Sequence, residues 1–428
     1  MAIAMSESVV DYIIIGGGVA GGHAVFEIRA HDKKGSVMVV NRESHFPYDR
    51  PPLSKEYLAG QKKRSEVFFR ADSYYKRNRI NFIGDHTVVA VDPHRQRITL
   101  DDGRVFRYRS LLFATGGHPR KLNIPGSELE GVHYLRTIED CNGIKKAASR
   151  AKKVAIVGGG FIGCEVAATL RGKGLEVTLI HRSPQLLNNA IDIETASWIK
   201  EYHAKKGVGI LLNTNVVGFL GKNGKLEGVQ LEGGNLVPAD LAVVGIGIEL
   251  DTELAEKTGL RVDQGVLVNE YLETSIDGIY AAGDIARFFS PVFKRHLRLE
   301  HVDVAQKQGK TAGKNMAGQR EPFGEYPYFF SNQYDIEINA YGDLSRHSLV
   351  VRRGRLDADP GFIQFYFDEK KLSGILSVNI DWNEIEWAKR LLEAGKEFAD
   401  PQILADESKT LRQHLNLVRK GYSPASSI

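Results

Sequence analysis

Two short strings carry residue types and spacing that could do chemistry in this 428-residue chain, VDYIIIGGGVAGG at 10–22 and VAIVGGGFIGCE at 154–165. Each is an apolar, β-branched run that breaks into Gly-x-Gly-x-x-Gly. The first copy has Gly16, Gly18 and Gly21 with Ala20 between them; the second has Gly158, Gly160 and Gly163 with Phe161 and Ile162 between them. The first glycine permits a tight strand-to-helix turn, the second lets a pyrophosphate approach the backbone, and the third lets helix pack on strand. Phosphates would then sit at the positive end of the helix. One such string is equally well a plain tight turn. Two of them, each between a strand-like run and a helix, read as two dinucleotide sites, one for a flavin and one for a nicotinamide.

Those turns need strands before them and helices after them, so the chain reads as α/β. A first helix is predicted at about 19–30 and a buried strand at 36–41. At the end of such a strand an acid usually bonds the ribose hydroxyls. Here Asn41, Arg42 and Glu43 follow, so the acid is Glu43 or is missing. Three prolines stiffen 46–58, FPYDRPPLSKEYL. Ser54 there suits a helix N-cap with Glu56 in the favourable first turn. Lys55 stands in the same turn against the helix dipole, which suggests another task for it, the bland alternative being an exposed lysine at a cost of only a few tenths of a kcal/mol. Strand-like pieces follow at 80–83, 87–92 and 97–100, with Asp101-Asp102-Gly103 closing a hairpin. LLFATGGHP at 111–119 is a buried strand ending in Ala114, Thr115 and Gly116, small enough for a chain crossing or a close cofactor approach.

A second unit begins near 121. Its second strand, 177–180, is followed by His181 and Arg182. An acid there would bind the 2′-hydroxyl of NADH, whereas a basic pair would receive a 2′-phosphate; this favours NADPH over NADH, the bland alternative being two side chains that face water. DLAVVGIG at 240–247 is another buried strand, and its Gly245 and Gly247 would let backbone approach the nicotinamide. Within 274–286 a strand leads to Gly283-Asp284 and a helix start, where Asp284 is either an acceptor for a sugar hydroxyl or an N-cap. RLEHVDVAQKQG at 298–309 opens a helix with Glu300, His301 and Asp303 in its first turns. A third unit alternates at Phe362, Ile363, Phe365 and Phe367, turns, and ends in a helix at 383–394 whose Ile385, Ala388, Leu391 and Leu392 share a face. The tail 421–428 is expected to be disordered.

Composition narrows the function. A net charge of +4 does not imply nucleic acid, and no run approaches the roughly 20 apolar residues of a membrane span. The first 15 residues lack a basic segment ahead of an apolar one, so a cytoplasmic location is expected. Basic clusters at Lys62, Lys63 and Arg64, at Lys76, Arg77 and Arg79, and at Arg352, Arg353 and Arg355 are either solvated surface or a face that steers an acidic protein. The only cysteines are Cys141 and Cys164. Neither the first nucleotide helix nor the loop after the second strand carries one, which disfavours disulfide and sulfenate chemistry. Both read as reduced small fillers, and no metal site is expected.

Seven motifs in order, FPYDRPPLSK, LLFATGGHPRKL, VGGGFIGCEVAA, ADLAVVGIGIELDTEL, GIYAAGDIARF, RLEHVDVAQKQG and FFSNQYD, resemble the FAD-dependent, NAD(P)H-oxidising reductases that serve oxygenase ferredoxins. Apoptosis-inducing-factor-like proteins are relatives of that family. The resemblance implies a glutathione-reductase-like fold with two Rossmann-like dinucleotide-binding domains and a C-terminal α+β domain. The FAD domain would be split over 8–120 and 250–322, the NAD(P) domain would be 121–249, and the last domain 323–428. FAD would meet Gly16, Gly18, Ala20 and Gly21 at its pyrophosphate, Arg50 and Lys55 on its face, Val88 at the adenine and Arg136 on the flavin side. Asp284, with Gly283, would bind the ribityl chain or phosphate, and Glu300, His301 and Val302 would line the isoalloxazine. Arg42 holds a position where relatives often have an acid, and Val302 and Phe330 hold positions where they often have tryptophan. Lys55 and Glu165 match a family ion pair that positions nicotinamide beside the flavin. The implied partner is an iron–sulfur acceptor such as a ferredoxin, and a homodimer is compatible. Two other readings remain: reduction of a small acceptor (quinone, oxygen or monodehydroascorbate, although Asn332 stands where the monodehydroascorbate enzymes have an arginine), and an apoptosis-inducing-factor-like redox sensor.

Overall fold

The computed structural model describes residues 8–187, 191–356 and 361–419. The tail at 421–428 lies outside the described residues. The chain divides into two compact units. The first is built from the chain up to Pro52, Lys62–His118 and Ile248–Glu325; the second is built from Leu53–Gln61, Pro119–Gly247 and the chain from Tyr326 onward.

In the first unit a sheet runs in the order Ile80–Ile83, Val37–Val40, Ser8–Ile15, Val105–Phe113, Arg97–Leu100, Val88–Asp92, and Ile279–Ala281 also pairs with Val105–Phe113. The strands beside Ser8–Ile15 are parallel to it. Ile13, Ile14, Val39, Leu111, Leu112 and Phe113 are fully buried, the unbroken apolar pattern of parallel strands covered on both faces. Helix Val19–His31 lies close against helix Val302–Met316. Glycine permits this approach, because a Cβ at Gly309 would stand 2.2 Å from the Ala20 carbonyl oxygen and one at Gly313 2.5 Å from that of Ala24.

The second unit repeats the plan with a parallel sheet in the order Val208–Leu211, Glu176–Ile180, Lys153–Val157, Leu241–Val244, Val132–Tyr134. After it come an antiparallel meander from Val216–Lys222 to Leu236–Pro238 and an antiparallel five-stranded sheet ordered Tyr328–Gln333, Ile336–Gly342, Lys371–Val378, Phe362–Asp368, Leu349–Gly354. Helix Trp382–Glu393 covers that last sheet with Ile385, Ala388, Leu391 and Leu392, the face expected from their spacing.

Three local expectations are corrected. Ser54 is no N-cap: Pro51–Ser54 is a 3-10 turn, the helix is Glu56–Ala59, and the Ser54 hydroxyl donates to a distant buried carboxylate. No helix starts at Asp284; a turn closed by Ala286 N–H on the Gly283 carbonyl leads into strand Ala286–Ser290, whose Phe288 is buried in the core. The helix expected from 298 begins at Val302, so Glu300 and His301 precede it and only Asp303 lies in its first turn.

Candidate functional site

Each glycine turn sits at the carboxyl end of the central strand of its sheet, where strand order reverses and open α/β sheets hold ligands. The two match atom for atom in their steric demands. Gly16 has φ +106° and Gly158 φ +116°; a Cβ would lie 2.3 Å from the Ala114 carbonyl oxygen in one and 2.1 Å from that of Gly245 in the other. A Cβ at Gly21 or Gly163 would lie 2.0 or 1.9 Å from the carbonyl oxygen of Gly16 or Gly158. Gly18 and Gly160, which cap the two helices, have nothing within 4 Å of a would-be Cβ. Open backbone at a helix N-terminus, flanked by positions that only glycine fits, suits a pyrophosphate.

The clamps on the turns differ. In the first, Gly17 N–H donates to Asn41 Oδ1 (2.9 Å), and the Asn41 amide donates to the Glu43 and His45 carbonyls (3.0 and 3.2 Å). In the second, Gly159 N–H donates to His181 Nδ1 (3.1 Å) and Leu187 N–H donates to the Gly159 carbonyl (2.8 Å). Burial and the neighbouring Arg182 both push the His181 imidazolium down. His181 and Arg182 are thus not an equivalent basic pair, since Arg182 is exposed and His181 is bonded to the turn.

Around the first turn, Glu43 accepts from Arg50 (2.9 Å) and from the Tyr48 hydroxyl (2.5 Å). Burial opposes the Arg50 cation, but Tyr48, Glu43 and Asp284 outweigh it and leave the guanidinium raised. Arg42 instead reaches toward Asp251 at 3.8 Å with a largely exposed side chain, and Thr115 donates to the Asp251 carbonyl. Val88 is buried. Gly283 N–H donates to Gln308 Oε1 (2.8 Å), which fixes the turn bearing Asp284. Burial pushes His301 down to about 4 against the pull of Asp284, so its imidazole is neutral at neutral pH. Glu300 pairs with Arg298 at 2.7 Å, and Val302 packs on the core.

Lys55, Glu165, Arg136 and Phe330 belong to the second unit. The Arg136 backbone donates to the Asp140 carboxylate at a helix start. Glu165 lies on helix Phe161–Gly172 and is 5% exposed; Lys55 is 9% exposed. Lys55 Nζ stands 3.4 Å from Glu165 Oε2 and 5.2 Å from the centre of the Phe330 ring. The carboxylate also accepts from Ser54 Oγ at 2.5 Å and Ser331 Oγ at 2.8 Å. Behind Ser331, Gln333 donates to its hydroxyl (3.1 Å) and accepts at Oε1 from His203 Nε2 (2.8 Å), all three residues being fully buried. Every donor in this chain points toward Glu165. A buried ion pair survives only when its remaining lone pairs are satisfied in this way. The Phe161 ring meets Phe329 at 5.0 Å, Ile162 is largely exposed, and Gly247 has φ +100° with open space before it.

Sequence reasoning paired Lys55 with Glu165 but missed Asn41, Gln308, Ser331, Gln333 and His203, and it read Ser54 for another task. Partners 111 and 166 residues apart leave no local signal. The cysteines are buried and unpaired as expected; burial pushes Cys141 up to about 12 and Cys164 up as well, so neither is a reactive thiolate.

Two sheets, one mixed and one parallel, each with its own glycine turn on a central strand flanked by parallel neighbours, define a two-dinucleotide flavoprotein, and the chain belongs to the pyridine nucleotide-disulphide oxidoreductase family, whose model matches residues 10–309. The reductase C-terminal family matches residues 328–415. The chain is 32% identical to putidaredoxin reductase of Pseudomonas putida over 97% of its own length and 99% of that protein. It is also 32% identical to a ferredoxin–NAD(P)+ reductase of Sphingomonas, covering 93% and 97%. The structure of a covalent putidaredoxin reductase–putidaredoxin complex superposes with a TM-score of 0.92 at 32% identity, covering 96% of this chain and 99% of the other. The fold is therefore of the glutathione-reductase-like class with a C-terminal α+β domain, and among the described residues no helix is long and apolar enough to cross a membrane.

Proposed function

We propose that this chain oxidises NAD(P)H at its second glycine turn, holds FAD at its first, and passes electrons singly to an iron–sulfur protein of the ferredoxin type. The pair of matched turns, each with an open middle glycine, carries the reading. Bound FAD supplies a two-electron entry for hydride and a one-electron exit. Gly16, Gly18, Ala20 and Gly21 would hold its pyrophosphate, with Arg50, Glu43, Val88, Gly283, Asp284, Glu300, His301 and Val302 around the rest. Gly158, Gly160, Phe161, Ile162 and Gly163 would hold the nicotinamide dinucleotide, with Gly245 and Gly247 leaving its ring room. The Glu165 carboxylate, held by two serine hydroxyls, keeps the Lys55 ammonium in place over Phe330, and this fixed cation serves as the positioning charge for hydride transfer. Arg136 remains on the flavin side of the proposal.

In this reading 8–120 with 250–322 form the FAD domain, 121–249 the NAD(P) domain and 323–428 the C-terminal domain. NADPH is preferred to NADH through Arg182. Two buried free thiols suit the reducing cytoplasm. The relatives named as reductases of ferredoxins favour an iron–sulfur acceptor over a small one. Steady-state NADPH oxidation with a [2Fe–2S] ferredoxin, a quinone and ascorbyl radical in parallel tests this. The expected result is a copurifying flavin and kcat/KM highest for ferredoxin; a colourless protein, or quinone or ascorbyl radical ahead of ferredoxin, rejects it.

A further inference from the structure

We infer that His181 is the clamp of the nicotinamide turn and not a ligand for phosphate, which leaves Arg182 alone to distinguish a 2′-phosphate from a 2′-hydroxyl. The inference rests on the reading that the second turn holds NAD(P)H, and it changes how that site selects its substrate.

The geometry fixes the protonation state of the ring. Gly159 N–H donates to His181 Nδ1, so that nitrogen must carry a lone pair and the proton must be on Nε2. An imidazolium has no lone pair, so protonation would remove the acceptor from the Gly159 N–H. The ring is also wedged in place. A Cβ on Gly159 would stand 2.9 Å from His181 Cγ and 2.6 Å from Leu186 Cδ2, and the Leu187 amide closes the far side on the Gly159 carbonyl. Nε2 is buried with no hydrogen-bond partner of its own, so that edge of the ring does not reach solvent.

The first turn supplies an internal control. Asn41 follows its strand as His181 follows its own, and Asn41 Oδ1 accepts from Gly17 as His181 Nδ1 accepts from Gly159. Asparagine and histidine both place an acceptor on an atom bonded to Cγ. One chain has filled the same structural post with two residue types, of which only one can be cationic. Among residues 181–187 the only other basic group is Arg182, which is exposed and adjoins the imidazole. Arg182 is also the one charged neighbour that acts on His181, and it acts with burial against protonation. Burial and Arg182 thus hold the His181 imidazole below the ordinary histidine range, on the same side as the bond that needs its Nδ1 lone pair.

A ligand and a clamp respond oppositely. A histidine that ligated the phosphate would gain charge as pH falls and raise the preference for NADP+ above that of His181→Asn; a clamp would leave wild type and His181→Asn with one shared pH dependence, set by the ionisation of the 2′-phosphate itself. Calorimetric titration of the FAD-loaded full chain with NADP+ and with NAD+, at about pH 6 and about pH 8, separates them when done on the wild type, His181→Asn and Arg182→Gln. The clamp predicts the wild-type affinity ratio in His181→Asn at both pH values, and a ratio about 10-fold lower in Arg182→Gln through loss of a charge-assisted contact. A ratio that collapses in His181→Asn, or that climbs toward low pH in the wild type and not in His181→Asn, overturns the proposal. Melting supplies a readout free of nucleotide: His181→Asn must melt above His181→Ala, which leaves the Gly159 N–H without its acceptor. If the wild type binds neither dinucleotide, the proposed function fails, while the order of the two melting temperatures still decides the clamp; equal melting points sink it.

Discussion

The two glycine turns are the same object built twice, and the differences between them are confined to what surrounds the shared backbone. Steric demand is identical at three glycines, to within a few tenths of an ångström in what a Cβ would meet. The surroundings diverge at once. Asn41 bonds the turn and two carbonyls of the following loop, tying the first turn into a larger frame that includes the Glu43–Arg50 pair. His181 makes one bond with its ring and leaves its neighbour Arg182 in solvent. A turn whose clamp is itself tied into the following loop suits a resident cofactor, and one whose clamping ring makes a single bond beside an exposed cation suits a substrate that comes and goes. In the proposed reading, backbone geometry makes both turns fit for a dinucleotide, and the side chains around them separate the two.

That contrast can be broken in steps of decreasing size. Gly21→Ala places a Cβ 2.0 Å from the Gly16 carbonyl oxygen. The variant should purify colourless or not fold, measured by flavin absorbance per chain and by melting; a fully loaded, stable Gly21→Ala would refute the turn's role. Truncating one member of the Lys55–Glu165 pair leaves a buried charge without its partner, a loss of about 3–5 kcal/mol. Lys55→Ala and Glu165→Ala should lower the melting temperature and slow flavin reduction by NADPH, with rate affected more than stability in rapid-mixing traces. Ser331→Ala removes one donor to that carboxylate and should cost about 1.5–3 kcal/mol by denaturant titration, the range for hydrogen bonds to charged groups. The smallest effect separates the clamps. Asn41→Ala loses three bonds and His181→Ala one, so the first should be the more destabilised, the second by only about 1 kcal/mol; equal losses would erase the distinction.

The parts legible in the sequence share a cause. Both turns announce themselves because glycine at fixed spacing answers a local backbone demand, and the α/β order follows from apolar runs alternating with helical stretches. The face of helix Trp382–Glu393 was legible for the same reason, since its periodicity is local. What escaped is non-local. Ser54 looked like a cap because its neighbours suit one, yet a carboxylate 111 residues away takes its hydroxyl. The Gly283-Asp284 turn looked like a helix start because Asp is a favoured cap, but the following Ala286–Ser290 pairs as strand and buries Phe288. His181 read as half of a basic pair because the type of residue was visible and the bond from the Gly159 N–H to its ring was not.

The central claim is that the second turn, and not the first, receives the reductant. Gly163→Ala tests it, because a Cβ there would lie 1.9 Å from the Gly158 carbonyl oxygen and far along the chain from the first turn. Anaerobic rapid mixing of this variant with NADPH, following the flavin band, should give a protein that keeps its yellow colour and no longer bleaches on the wild-type timescale. A variant that bleaches at the wild-type rate, or that loses its flavin while remaining folded, would contradict the assignment of the two turns.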